Sequence, residues 1–176
     1  MTFVEARNEL IERLNAHLGI MFVLADDVQP ELSFPYAYYS VITPGNGIPG
    51  MGNVTTEIRD SVDDDGKQDV FSVLHNMPIK QLSITFCSTD RVDNNGNDIF
   101  GEDEAVTLCE QAKNYLQHVG YHELSDAGLV VVEILNIGQR SGLVVNEVNR
   151  RYGFDVRIRF AQASERNDLS IDKVTY

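Results

Sequence analysis

Three shortages narrow the reading of this sequence. Cysteine occurs only twice among 176 residues, at Cys87 and Cys109. Their spacing matches no zinc-binding or redox motif, and the simplest expectation is two reduced, buried thiols rather than a disulfide. Long apolar runs are missing: none approaches the ~20 residues that a membrane-spanning helix needs. The longest candidate, Gly19 to Ala25, runs straight into Asp26 and Asp27. The opening MTFVEARNEL carries acids early and predicts a helix rather than a secretory leader. Basic side chains are the third shortage. Lys and Arg total 14 against 27 Asp and Glu, for a net charge of −13. A general nucleic-acid binder needs a basic face to attract phosphate, so that class is disfavoured.

Chemical motifs are equally scarce. There is no nucleophile elbow, kinase-type loop or zinc signature. The glycine-rich segment PGNGIPGMGN (44–53) lacks the GK[ST] and the following helix that a phosphate loop requires. Asp93, Asn95, Gly96 and Glu102 imitate part of a calcium loop, but its first ligand position falls on Arg91. A second imitation at Asp63, Asp65 and Gly66 places Ser61 and Ser72 where ligands belong. Both segments read as tight turns, which Asp, Asn and Gly stabilise. His118 and His122 have the spacing of a helical metal pair, but Gly120 stands between them and no third ligand is near; His17 and His75 are isolated. Asn53-Val54-Thr55 is a formal glycosylation sequon of the kind that arises by chance. No catalytic, cofactor-binding or metal-ligating residue is expected, and no cofactor.

What the chain does contain is one well-patterned domain, 1–176. A domain of this size buries roughly 70% of its unfolded surface and needs no staples. Thr2 and Glu5 form a capping box, and Phe3, Ala6, Leu10, Leu14 and Leu18 make a helical stripe that Gly19 ends. Ile20 to Leu24 is a short strand or extended segment. Tyr36 to Ile42 predicts a strand, 43–53 a long loop, Val54 to Ile58 a strand, 60–69 a long acidic loop, and Val70 to Leu74 a strand. In Lys80 to Ser88, Leu82, Ile84 and Phe86 alternate with Gln81, Ser83 and Thr85. A second helix is expected from about Glu102 to Val119, with three acids in its first turn. Its buried stripe is Ala105, Leu108, Cys109, Ala112, Tyr115, Leu116 and Val119, with Gly120 as the stop. Leu129 to Ile137 suits a strand covered on both faces. Arg150 to Gln162 turns Phe154, Val156, Ile158 and Phe160 inward and Asp155, Arg157 and Arg159 outward. The tail 163–176 either docks as a short strand or stays loose. Strands joined mostly by turns, with two helices among them, define an α+β class: an antiparallel-rich sheet with two helices packed on it.

Charge is distributed unevenly. Residues 1–139 carry a net −15, whereas 140–176 carry a net +2. Arg140, Arg150, Arg151, Arg157 and Arg159 gather around the last strong strand. Two readings stay open: a sheet face protected by charge against aggregation, or an interface between protomers, where arginine is favoured in ion pairs. On the second reading the acidic contact would come from the 60–69 region, with Asp60, Asp63, Asp64, Asp65 and Asp69.

The helix FVEARNELIERLNAHLGI, the strand-to-turn PYAYYSVITPG, the strand KQLSITFCST, the helix EDEAVTLCEQAKNYLQHVG and the closing NRRYGFDVRIRF together resemble the neck and tail terminator proteins of tailed bacteriophages. The likeness covers most of the chain and rests on the order and spacing of elements. It implies a mixed, mostly antiparallel sheet with two helices on one face. It further implies a homohexameric ring at the tail neck of the virion, assembled in the host cytoplasm. Such a ring caps the tail tube, stops its polymerisation and provides the attachment surface for the head. The implied partners are the chain itself, tail tube protein, sheath protein in a contractile tail, and a neck or head-completion protein. DNA would pass through the lumen without specific binding. The likeness implies no enzymatic activity and brings no catalytic residue. The alternatives are another neck, head–tail connector or completion protein, or a small ligand-binding or enzymatic α+β domain.

Overall fold

The computed structural model describes residues 1–25, 32–43, 52–61, 67–140 and 150–172. The first helix, α1 (Phe3–Leu18), starts where the capping box places it. Thr2 Oγ1 accepts from the Glu5 amide at 3.3 Å, and the Glu5 carboxylate accepts from the Thr2 amide at 2.8 Å. Gly19 ends the helix in the left-handed conformation at φ 67°, with its N–H donated to the Asn15 carbonyl. Ala6, Leu10, Ile11 and Leu14 are buried. Sealing Leu10 and Leu14 completely contributes roughly 1.5–3 kcal/mol each.

The body is a five-stranded sheet built from β1 (Met21–Leu24), β2 (Tyr36–Thr43), β5 (Ile79–Ser88), β8 (Leu129–Gln139) and β9 (Arg150–Phe160), in the order β1-β2-β5-β9-β8. Only β1 and β2 run parallel, so the sheet is mixed and mostly antiparallel. The expected alternation holds in the central strands. Leu82, Ile84, Phe86, Phe154, Val156 and Ile158 are fully buried under the helices. Gln81, Ser83, Asp155, Arg157 and Arg159 stand on the other face, which carries no helix among the described residues.

A small hairpin, β6 (Arg91–Val92) and β7 (Asp98–Ile99), leads into α2 (Gly101–Asn114). The Asp93 carboxylate accepts from the amides of Asn95 and Asn97, both at 2.8 Å, so this acid closes a turn as read from the sequence. The second helix departs from expectation after Asn114. It widens into a π turn at Tyr115–Val119 and the chain continues as α3 (Tyr121–Asp126). The wide turn changes the helical phase, so Val119 leaves the buried stripe and is 52% exposed, whereas Tyr115 and Leu116 stay buried. Gly120 is not a left-handed stop; its φ is −86°. A Cβ there would lie 2.4 Å from the Tyr115 ring, so close approach is what requires glycine.

The remaining strands, β3 (Asn53–Asp60), β4 (Lys67–Asn76) and β10 (Gln162–Asp172), form a separate antiparallel sheet in the order β10-β4-β3. This sheet continues the body's two central strands. The pairs Ile79–Arg159 and Asn76–Gln162 keep one register across the link at Met77–Pro78, which is bridged by the Phe160 N–H to the Pro78 carbonyl. One expectation changes, and one of the two alternatives for the tail is taken up. The acidic loop is shorter than 60–69, because Asp60 ends β3 and Asp69 pairs with Arg59 inside the β3–β4 ladder. The tail is a strand through Asp172 rather than a loose end. Asp63, Asp64, Asp65, residues 44–51 of the expected 43–53 loop, and residues 173–176 lie outside the described residues.

β8, which the sequence predicts as covered on both faces, is an edge strand with a single covering layer among the described residues. Leu129, Val131 and Ile134 meet the core, while Val130, Val132 and Ile137 are 42–45% exposed.

Candidate functional site

The five arginines singled out in the sequence do not form one cluster. Alternation along β9 places Arg151, Arg157 and Arg159 on the helix-free face, opposite Cys87, Gln81 and Ile79 of β5. Arg150 pairs with Ser88 and lies on the other side, in a depression at the start of α2 shared with Glu102, Ala105 and Tyr152 and bordered also by Gln139 and Arg151. Arg140, just beyond β8, reaches back across the helix-free face. It donates to Asp155 at 2.7 Å, to Thr85 Oγ1 at 3.2 Å and to Ser83 Oγ.

That reach explains a buried acid in the middle of a sheet. Asp155 is 6% exposed. Burial pushes its pKa up, but hydrogen bonds from Asn136, Arg140 and Ser83 outweigh it and hold the carboxyl below its ordinary value. Asn136, whose Nδ2 donates at 2.6 Å, has a positive φ of 50° at the irregularity in β8. Arg157 is paired with Glu133 at 2.9 Å and with Gln81, both at the surface. Arg140 and Arg157 are therefore engaged within the chain. The buried Nε of Arg159 has no hydrogen-bond partner among the described residues.

A second polar cluster fastens α2 to the body. Glu104 receives both guanidinium nitrogens of Arg91, at 2.7 and 2.8 Å, together with the Ser88 hydroxyl. The Arg91 bonds hold its carboxyl below the usual range, against opposing desolvation, with Ser88 adding to the effect.

The arm has its own lock. Arg59 of β3 spans β4 to make two bonds with Glu165 of β10, at 3.0 and 2.9 Å, and also contacts Glu57 at 2.6 Å. Its guanidinium sits 4.8 Å from the centre of the Phe71 ring. Sequence reasoning missed this lock, because its four members are spread over three strands, β3, β4 and β10, that only the register brings together.

Both cysteines are free and buried, and burial pushes the Cys109 thiol up to about 12. No group of three or more His, Cys, Asp or Glu able to hold a metal occurs among the described residues, and His118 and His122 are exposed. No described helix is long and apolar enough to cross a membrane. The hollow at the junction of arm and body, of about 500 Å³, is lined by Met1, Asn53, His75, Met77 and Gln162 among others, without a carboxylate or thiol.

What these features share is surface: a helix-free sheet face bearing arginines, an edge strand with exposed valines, and a projecting arm. They describe an α+β protein equipped for contact with other protein surfaces. The model of one family, the phage neck terminator protein, matches residues 8–175, and the chain belongs to that family. It is thus a structural protein of the phage neck. Among curated proteins, none matches the chain.

Proposed function

We propose that the protein acts as a homohexameric ring that caps the completed tail tube, stops its polymerisation and offers the attachment surface for the head. The observation that carries this reading is the family match across nearly the whole chain. Its partners would be further copies of itself, tail tube protein, sheath protein in a contractile tail, and a neck or head-completion protein. It works by binding, without catalysis, at the tail neck of the virion after assembly in the host cytoplasm.

The charge distribution supports the reading. A closed ring joins two different patches of one protomer, so the protomer must carry complementary surfaces. The helix-free face supplies arginines, and the bulk of the chain is acidic. Within the candidate interface, Arg151, Arg157 and Arg159 share this face, whereas Arg150 belongs to a different surface. Asp60 and Asp69 sit on the arm and, with Asp63, Asp64 and Asp65, are the acidic counterpart we assign to it. A net charge of −13 per copy also repels DNA moving through the lumen.

Native mass spectrometry, with the protein alone and with tail tube protein, tests the proposal. A closed hexamer in either condition supports it. A monomer in both contradicts it. A closed ring that binds head-completion protein but not tail tube would instead favour a connector at an adjacent neck layer.

A further inference from the structure

Helices cover one face of the body sheet, but among the described residues no element covers the arm. β3, β4 and β10 pack on one another, and no described body element packs extensively along them. A small sheet of this kind requires an apolar face set against something. The two faces of the arm differ. One is closed by the Arg59 lock over Phe71. On the other, the register aligns Val54 with Leu74 and Ile58 with Val70, on either side of a polar row in which Ser72 and Arg166 both donate to Asp168. Val54 and Ile58 are 60% and 57% exposed. Exposed β-branched rungs on a regular sheet mark a contact surface.

We propose that this apolar face of the arm is covered by the helix-free sheet face of a second copy of the chain, at the β8–β9 side where Val130 lies in register with Arg159. The proposal rests on the ring reading and names the contact that would build it. Its first support is geometric. The arm extends the β4–β5 and β9–β10 ribbon in unbroken register, so it leads away from its own body sheet. Its second support is apolar complementarity, because Val130 of edge strand β8, in register with Arg159, is 43% exposed. Its third support is charge. The arm strands hold six Asp and Glu against three Lys and Arg, whereas the helix-free face holds four arginines against Glu133 and Asp155. Arg159, with its Nε buried and unbonded among the described residues, borders Val130 at the proposed contact. The contact joins two different patches, as a closing ring requires.

Two single-cysteine additions test it. Protein carrying Ile58→Cys is mixed with mass-tagged protein carrying Val130→Cys, assembled and oxidised; the native Cys87 and Cys109 are buried and free. The expected product is a covalent pair of one Ile58→Cys chain and one Val130→Cys chain, with none from either protein alone. Assembled rings without that mixed pair, or with pairs between two Ile58→Cys chains, overturn the proposal and leave the ring standing. A sample that sediments as monomer overturns both. In parallel, Val54→Lys with Ile58→Lys should keep the circular dichroism of the parent while shifting sedimentation to the monomer. Unchanged assembly of that variant would also overturn the proposal.

Discussion

Arg140 and Asp155 meet at 2.7 Å on a face that no described helix covers, and together they turn a buried carboxylate into a brace between the end of β8 and the middle of β9. Asp155 is shielded by its neighbours, so the acid cannot rely on water if the arginine is lost. Arg140→Ala should therefore destabilise the monomer by about 3 kcal/mol, the cost of leaving a buried charge uncompensated. Replacing both partners, as Arg140→Met with Asp155→Leu, should recover much of that loss. Urea unfolding of the two variants checks the pair of outcomes.

The same carboxylate gives the fold an acid limit. Its folded pKa lies below the ordinary 3.8, and that of Glu104 lies below the ordinary 4.5. Depressed carboxyl groups contribute stability that is present above the unfolded pKa and is lost as pH falls through the folded value. Stability should fall as pH drops below these ordinary values. Asp155→Asn should flatten that slope although it lowers stability at neutral pH. An equally steep slope in the variant would assign the acid sensitivity to other groups.

Gly120→Ala places a methyl group against the Tyr115 ring, which also donates to Glu123 at 2.9 Å. Overpacking of this kind costs about 1–3 kcal/mol. Thermal unfolding should record it, and Tyr115→Leu in the same background should relieve part of it by removing the ring that clashes.

The arm lock should matter locally. Glu165→Gln removes the charge that draws Arg59 across β4. Amide hydrogen exchange should speed up in β3 and β10 while β5 and β9 remain protected, because among the described residues no body element packs extensively on the arm. Uniform acceleration throughout the chain would mean that arm and body unfold as one unit.

Charge reversal at Arg159 should weaken self-association while leaving the monomer folded, since its Nε has no hydrogen-bond partner among the described residues. Arg157→Glu removes a surface pair with Glu133 that contributes less than about 1 kcal/mol. Sedimentation equilibrium measures the first effect and urea unfolding the second.

Local chemistry made much of the fold legible in the sequence. The Thr2–Glu5 capping box, the αL stop at Gly19 and the alternation of Leu82, Ile84 and Phe86 each act within a few residues, and all appear where they were placed. The π turn was not legible. The stripe from Ala105 to Leu116 continues to Val119 on helical spacing, and only the packing of Tyr115 against Gly120 reveals the change of phase. β8 misled for a related reason. A β-branched run reads the same whether a second layer comes from its own chain or from another. The arginines were visible as a group, but strand parity separates Arg150 from Arg151, Arg157 and Arg159. Their internal partners Asp155 and Glu133 depend on pairings that composition does not encode.

Tail length in phage particles lacking this protein tests the central claim most directly. With the protein absent, electron micrographs should show headless tails whose tubes exceed the normal length and vary widely, and supplying the protein should restore a single length and joined heads. Tails of normal, uniform length in its absence would contradict a terminating role.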